Sequence, residues 1–254
     1  MLLFSIILVV VATIIVFFLF YKRSLIKRLL LIFQPKYRKN PRKIPLSSGQ
    51  QSALNIGAIL SLRNRNYMDS IETDESKESN IESMAEWWGV YSTDSAIETL
   101  EWLFDEGHRV HYDKIINAKK NGSYLHPDVL SYDENMNETL DVLIKNQIIV
   151  DKSDLNNISI LAWDMGRSVN VARWCFDCGY ITKEKAWNYI NRAHTYSKQI
   201  YNSWEEFSTG YIVGRAMWSG DPDVVEDVIT DVQSLLNDVD SPWKNISLVN
   251  FWNK

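Results

Sequence analysis

Residues 161–180, LAWDMGRSVNVARWCFDCGY, hold the pattern that decides the fold. From Ile158 to Phe176, apolar residues recur three and four positions apart, which is the spacing of one face of an α-helix. Gly179 follows this stripe where a left-handed C-cap residue would close the helix. The spacing therefore predicts a helix from about Asp154 to Cys178, lying at the centre of a helical domain.

Charged and aromatic side chains lie beside the apolar stripe of this helix. Asp164 and Arg167 are three positions apart, and Trp163 and Arg167 are four apart, so each pair can meet on the helix surface. Arg173 and Trp174 follow further along the same helix. We therefore expect the central helix to bury a charged and aromatic cluster.

Capping residues and apolar spacing predict further helices on both sides of this element. Thr182, Ser203 and Asp221 each precede an apolar stripe as N-cap residues. Glu206 completes a capping-box pattern with Ser203, and Pro222 suits a first helical turn after Asp221. Earlier helices are predicted over residues 52–67, between Ser92 or Thr93 and Gly107, over 109–119 and over 127–146.

Two segments are less regular. Residues 69–80, DSIETDESKESN, are acidic, serine-rich and nearly free of large apolar residues, which predicts an exposed loop. Ile148–Val150 fits either a short strand or the end of a helix. No apolar–polar alternation is long enough for a sheet. The predicted fold is all-α, with one multi-helix globular domain following a single N-terminal transmembrane helix.

That transmembrane helix is predicted within residues 1–21. Residues 2–20 are apolar apart from Ser5 and Thr13, and at about 1.5 Å per residue they span roughly 28 Å, close to the hydrocarbon thickness of a bilayer. The alternative is a cleaved signal peptide. It would need a basic start, a shorter apolar core and small residues at the cleavage site. Here no basic residue precedes the run and bulky residues end it, so we expect a retained helix.

A basic flank follows the apolar run and orients it. Its members are Lys22, Arg23, Lys27, Arg28, Lys36, Arg38, Lys39, Arg42 and Lys43. Positive charge stays on the cytoplasmic side, so the domain is expected to face the cytoplasm from the inner membrane. Residues 22–48 form the predicted juxtamembrane segment and linker, and 49–254 the helical domain. The flank can also contact anionic lipids. The alternative is that its basic residues only orient the helix, which would be enough to explain them.

Composition excludes several kinds of partner and chemistry. Without the nine basic residues of the flank, 18 basic residues face 32 acidic ones, and a net charge of about −14 opposes nucleic-acid binding. Cys175 and Cys178 are expected to be free thiols in a reducing cytoplasm. No phosphate-binding loop, kinase signature or metal-ligand spacing of histidines is present. We predict no cofactor and no metal site, and a non-enzymatic role is favoured.

Several short blocks resemble a bacterial family known as domain of unknown function 1266. The blocks are Trp102-Leu103, Gly107-His108-Arg109, Ala162-Trp163-Asp164-x-x-Arg167, Arg173, Gly179-Tyr180-Ile181, Ala186-Trp187, Ser203-Trp204 and Tyr211-x-x-Gly214-Arg215-x-x-Trp218. The resemblance covers roughly residues 89–243. It implies a recurring helical domain in which these Trp, Asp and Arg positions matter, and it implies no particular reaction.

The candidate site follows from these polar and aromatic residues. Its members are His108, Arg109, Trp163, Asp164, Arg167, Arg173, Trp204, Arg215 and Trp218. One interpretation is a buried ion-pair network that locks helices together, with tryptophans packed on guanidinium planes. The other is a pocket whose arginines bind an anion such as phosphate or carboxylate.

Two functions are compatible with these features. The first is a membrane-anchored cytoplasmic binding or regulatory module that contacts a protein partner, for example as an immunity-type neutraliser. The second is an enzyme or small-ligand receptor that binds an anionic ligand at Asp164, Arg167, Arg173 and Arg215. The two functions are distinguished by the surroundings of the arginines. Arginines paired with internal carboxylates favour the first function, and arginines facing an open cleft favour the second.

Overall fold

The computed structural model describes residues 35–42 and 44–249. Within these ranges every regular element is a helix, which confirms the all-α fold of one globular domain. In chain order the α-helices are α1 (Ser48–Asn55), α2 (Ala58–Arg63), α3 (Lys77–Trp88), α4 (Thr93–Asp105), α5 (Arg109–Asn121), α6 (Leu130–Glu138), α7 (Leu140–Lys145), α8 (Leu161–Cys178), α9 (Lys183–Ile200), α10 (Trp204–Ser219), α11 (Pro222–Asn237) and α12 (Pro242–Asn245). Two 3₁₀ helices, Pro127–Val129 and Lys152–Asn157, complete the described elements.

The predicted transmembrane helix of residues 1–21 lies outside the described residues, as does most of the basic flank. Among the helices that the structure does describe, none has both the length and the apolar character needed to cross a bilayer. The compact helical unit begins at Tyr37, whose buried ring donates a hydrogen bond of 2.9 Å through its hydroxyl to Asp238.

Helix α8 lies at the centre of the domain, with α2, α3, α4, α9 and α10 packed around it. Fifteen of its 18 residues are buried, so it is covered on nearly all sides rather than along one stripe. It ends as predicted at Gly179, which has a φ of +79°. It begins later than predicted, at Leu161, because a capping box at Asp151 starts the separate 3₁₀ helix Lys152–Asn157.

The helix starts after α8 follow the predicted caps. Thr182, Ser203 and Asp221 each accept a hydrogen bond from a backbone N–H of the next turn. The capping box at Ser203 is incomplete, however. The Glu206 carboxylate accepts from the backbone N–H of Asn202, at 2.8 Å, instead of returning to Ser203.

Three predictions about the first half of the domain were wrong in detail. Residues 52–67 do not form one helix, since Gly57 separates α1 from α2 where the chain passes close to Asn170. Residues 127–146 divide into a 3₁₀ turn, α6 and α7. Ile148–Val150 is neither strand nor helix and follows a turn at Gln147, which has a φ of +58°.

The acidic stretch 69–80 was expected to be an exposed loop, and that prediction was half wrong. Asp69, Ser70, Ile71 and Thr73 are buried, and the last three bond to Arg173 or Asp177 of α8. From Lys77 onward the chain is helical, because Ser76 caps α3 by accepting from the backbone N–H of Ser79. Polar composition did not reveal this burial, because backbone groups of the segment make the contacts.

Candidate functional site

Asp164 caps a helix from outside it. Its fully buried carboxylate accepts from the backbone N–H groups of His108, at 3.0 Å, and Arg109, at 3.1 Å, at the start of α5. His108 is the N-cap residue of α5 but provides no side-chain cap of its own. A carboxylate at this position satisfies otherwise unpaired N–H groups and faces the positive end of the helix dipole.

Gly107 makes this close approach possible. Its φ is +60°, and a Cβ at this position would overlap the Asp164 carboxylate. The sequence block Gly107-His108-Arg109 therefore has a physical explanation: a glycine that permits contact, followed by two N–H donors to Asp164. Two sequence-predicted blocks that are far apart in the chain meet here.

Two arginines neutralise the same carboxylate. Arg167 Nη2 lies 2.6 Å from one Asp164 oxygen, and Arg109 Nη1 lies 3.2 Å from the other. Arg109 also donates to the backbone carbonyls of Leu103, at 2.8 Å, and Phe104. This part of the predicted cluster matches the interpretation of a buried ion-pair network.

His108 adds a neutral hydrogen-bond donor beside this network. Arg167 Nη2 lies 2.8 Å from His108 Nδ1, and a guanidinium can only donate, so Nδ1 accepts and the proton sits on Nε2. Burial, together with the neighbouring Arg167 charge, lowers the pKa of His108 to about 3. The imidazole is therefore neutral at physiological pH.

Arg173 belongs to a different cluster on the same helix. It is fully buried and donates to the backbone carbonyls of Tyr67 (2.6 Å), Ser70 (3.0 Å), Ile71 (3.2 Å) and Glu72 (3.1 Å), and to the Ser61 hydroxyl (2.7 Å). Burial lowers its pKa to about 10. Because these acceptors take up its donors, Arg173 holds the segment 67–72 against α8 and does not face a ligand site.

Trp204 also lies apart from the central cluster. Its ring stacks on Trp243 at a centroid distance of 4.7 Å and an interplanar angle of 4°. Its indole N–H donates to the backbone carbonyl of Ile246 at 2.7 Å. The structure therefore places Trp204 where it fastens the chain after α12 to α10.

A cavity of about 950 Å³ opens between α3, α4, α8 and α10. Six of the ten tryptophans of the chain line it, namely Trp87, Trp88, Trp102, Trp163, Trp174 and Trp218. The predicted site residues His108, Trp163, Arg167, Arg215 and Trp218 all contribute to its wall. The sequence did not identify Asn66 and Asn80, which also line it, since an isolated asparagine carries no motif.

Arg215 is a partly buried arginine in the wall of this cavity. Its guanidinium lies 4.7 Å from the centroid of the Trp218 ring and 5.6 Å from that of Trp163. Its Nε is buried without an acceptor, and the described residues place no carboxylate within ion-pair distance of it. Burial lowers the pKa of Arg215, and arginine side chains stay charged in proteins.

Gly214 lets the wall of this cavity form. A Cβ at residue 214 would overlap the Trp163 side chain and lie 2.8 Å from its Cγ. The indole of Trp163 therefore lies directly against the backbone of α10, where its ring is edge-on to Tyr211 at 5.1 Å. This explains the spacing of Tyr211, Gly214, Arg215 and Trp218 in the sequence.

Three further polar atoms in the cavity wall are buried without a hydrogen-bond partner: Asn66 Oδ1, Asn80 Nδ2 and Trp163 Nε1. Arg167 Nη1 also makes no hydrogen bond to a described residue, although this atom is not fully buried. Most buried polar groups in folded proteins are paired, either with protein atoms or with ordered water. These unpaired atoms all belong to the wall of one cavity, where solvent or a ligand can reach them.

The remaining reactive groups do not contribute to this cavity. Burial raises the pKa of Cys175 to about 12 and that of Cys178 to about 11, so both thiols stay protonated. Within residues 35–42 and 44–249, no three His, Cys, Asp or Glu side chains are grouped so that they could hold a metal ion.

The comparison with known families agrees with the sequence blocks that resemble domain of unknown function 1266. Residues 83–248 match the family described as Protein of unknown function (DUF1266). The matched segment contains Asp164, Arg167 and Arg215, whereas Asn66 and Asn80 precede it. No curated protein and no solved structure matches the chain. The match spans more than half of the sequence, and the chain therefore belongs to this family.

Proposed function

We propose that this domain is a receptor that binds a small anionic ligand in the tryptophan-lined cavity. Arg215 carries the proposal, since it lines the cavity as a partly buried cation without an ion-pair partner among the described residues. Leaving its buried Nε unpaired costs free energy, and an acidic ligand would offset that cost. Arg167 Nη1 and Trp163 Nε1 supply further donors in the same wall.

This proposal separates the two interpretations of the predicted cluster. Asp164 and Arg109 form hydrogen bonds within the protein and hold the site in position. Arg167 belongs to both parts, because Nη2 is paired with Asp164 while Nη1 has no partner. A ligand anion would therefore meet a guanidinium that Asp164 already holds in position, which is how a binding site is preorganised.

Binding is better supported than catalysis. A general base works best with a pKa near the working pH, and His108, at about 3, is too weakly basic. With its proton on Nε2, it serves as a hydrogen-bond donor. The cavity thus offers donors, cations and aromatic faces, which suit recognition of an acidic ligand.

The first test is a thermal-shift screen of the full chain, purified in detergent, with phosphorylated and carboxylated metabolites. A bound ligand must raise the melting temperature. Arg215→Leu is expected to weaken binding of any active compound about 10- to 100-fold, as expected for a charge-assisted hydrogen bond. Without ligand, the variant should melt close to the original chain, because the loss of two guanidinium–ring contacts is offset by removal of a partly desolvated cation.

Arg192→Leu is the matched control for this variant. Arg192 also lies over an aromatic ring, 4.2 Å from the centroid of Phe104, but it pairs with Glu101 and does not line the cavity. Binding should survive in this control. A screen in which no acidic compound raises the melting temperature would reject the proposal, as would equal losses of affinity in the two variants.

For the location, we propose the arrangement expected from the sequence, a single N-terminal helix in the inner membrane with the domain in the cytoplasm. A fluorescent reporter fused after Lys254 should be active, whereas a reporter that works only outside the cytoplasm should be silent. The opposite result would overturn the orientation.

We also propose a protein partner for the domain. The highly exposed side chains of Trp87 (74 %) and Tyr91 (73 %) support this proposal.

A further inference from the structure

Helices α3 and α8, which both line the cavity, run antiparallel to each other. Trp88, at the C-terminus of α3, lies 5.7 Å from the Arg167 guanidinium, measured to the ring centroid. Lys77, at the N-terminus of α3, would lie 3.6 Å from a Cβ at Gly179, which ends α8. One end of the cavity therefore contains the arginines, and the other is near the C-terminal turns of α8.

Trp174 lies at the second end. It is seven residues after Arg167, which is about 10 Å along the axis of α8. No ring or guanidinium among the described residues packs against its indole, in contrast to Trp163, which has Arg167 at 4.4 Å. The second end of the cavity thus offers an aromatic face that is available for stacking.

Two buried amides, those of Asn66 and Asn80, line the same cavity. Asn80 is eight residues before Trp88, which by the antiparallel arrangement brings it to the level of Trp174. Asn66 precedes Tyr67, whose carbonyl accepts from Arg173, the neighbour of Trp174. Asn66 is 1 % exposed and Asn80 is 4 % exposed, yet Asn66 Oδ1 and Asn80 Nδ2 have no partner.

One amide makes a long hydrogen bond within its own turn. Asn66 Nδ2 donates to the Asn64 carbonyl at 3.4 Å, which leaves Oδ1 as the acceptor that faces no donor. Asn80 contributes an unpaired donor. A ligand that satisfies both must present a donor and an acceptor beside an aromatic plane, as the edge of a nitrogen heterocycle does.

The charges around the cavity limit how much negative charge the ligand can carry. Arg167 and Arg215 line it together with Glu75 and Glu98, and His108 is neutral. The two exposed carboxylates would oppose a long polyphosphate, whereas one acidic group can lie between the arginines. Because Arg167 and Trp174 are about two helical turns apart on α8, the heterocycle and this group must be joined through a spacer rather than directly.

We infer that the ligand is a nucleoside monophosphate, a planar nitrogen heterocycle joined through a sugar-length spacer to a single acidic group. This inference rests on the proposed anion-binding function. The ring stacks on Trp174, its edge pairs with Asn66 and Asn80, and the phosphate contacts Arg167 and Arg215.

The inference is tested by titrating the full chain in detergent with AMP, GMP, CMP and UMP separately, following tryptophan fluorescence and calorimetric heat. Uncharged nucleosides, inorganic phosphate and 1-naphthoate serve as comparison ligands. At least one monophosphate should bind about tenfold or more tightly than its nucleoside, inorganic phosphate and 1-naphthoate. 1-Naphthoate lacks both the heterocycle edge and the spacer.

Variants at the ring end test the assignment of each contact. Asn80→Leu and Trp174→Leu should each weaken monophosphate binding about tenfold and leave inorganic phosphate binding unchanged. Asn80→Leu should not lower the melting temperature, since its buried donor has no partner in the free protein. Asn137→Leu, an exposed position on α6, and Trp187→Leu, outside the cavity, are the matched controls.

The outcomes separate the inference from the proposed function. Tight binding of a monophosphate that depends on Asn80 and Trp174 supports both. Equal affinity for monophosphates and 1-naphthoate, with no effect of Asn80→Leu, would overturn the heterocycle inference and keep the anion receptor. Absence of binding by every acidic compound in the titration would overturn both.

Discussion

Asp164→Asn is expected to lower the free energy of unfolding by about 3–5 kcal/mol, the usual cost of breaking a buried ion pair by removing one partner. The carboxylate accepts four hydrogen bonds, two from the start of α5 and two from arginines. Asparagine has the same shape but no charge, and its amide nitrogen would face donors. Arg109 and Arg167 would both lose their anionic partner at a fully buried position.

Urea unfolding of the full chain in detergent, followed by circular dichroism, measures this change. Asp240→Asn is the matched control, because it makes the same chemical substitution at an exposed turn and should shift stability by no more than about 0.5 kcal/mol. If Asp164→Asn unfolds at the same urea concentration as the original chain, the carboxylate does not support α5. It would then have to be assigned to ligand binding.

The part of this cluster that the sequence predicts is the part encoded by local spacing. Asp164 and Arg167 are neighbours on one helix, so their ion pair follows from helix geometry alone. Arg109 reaches the same carboxylate from another helix, and local spacing cannot show such a contact. Only the family resemblance placed His108 and Arg109 among the candidates.

The cavity was harder to predict, because its wall is assembled from separate helices. Trp163 and Arg167 stood out beside the apolar stripe of the central helix, and the family resemblance added Arg215 and Trp218. Asn80 belongs to the stretch that its polar composition assigned to an exposed loop. The first part of that stretch is held in place through the backbone carbonyls of Ser70, Ile71 and Glu72, and the side-chain sequence carries no signal for a backbone acceptor.

Arg173 is the residue that causes this burial, and Arg173→Met is expected to lower the free energy of unfolding by at least about 4 kcal/mol. Each buried acceptor left unpaired costs about 1–3 kcal/mol, and four carbonyls and one hydroxyl would lose their donor. Arg173→Lys should lower the free energy of unfolding by less than Arg173→Met, because lysine keeps the charge. It should still be destabilising, because lysine lacks the planar fork that reaches several acceptors. Arg192→Met removes a half-exposed ion pair and should cost only about 1 kcal/mol or less.

The effect of Arg173→Met should also be local in a way that hydrogen exchange can detect. Residues 67–72 are held to α8 by this side chain, so their amides should exchange faster, while those of α10 and α11 keep their protection. The loosened segment lies between Asn66 and Asn80, so monophosphate binding should weaken even though Arg173 does not line the cavity. Uniformly faster exchange throughout the domain would contradict the role of Arg173 as a local clamp, because that pattern indicates loss of the whole core.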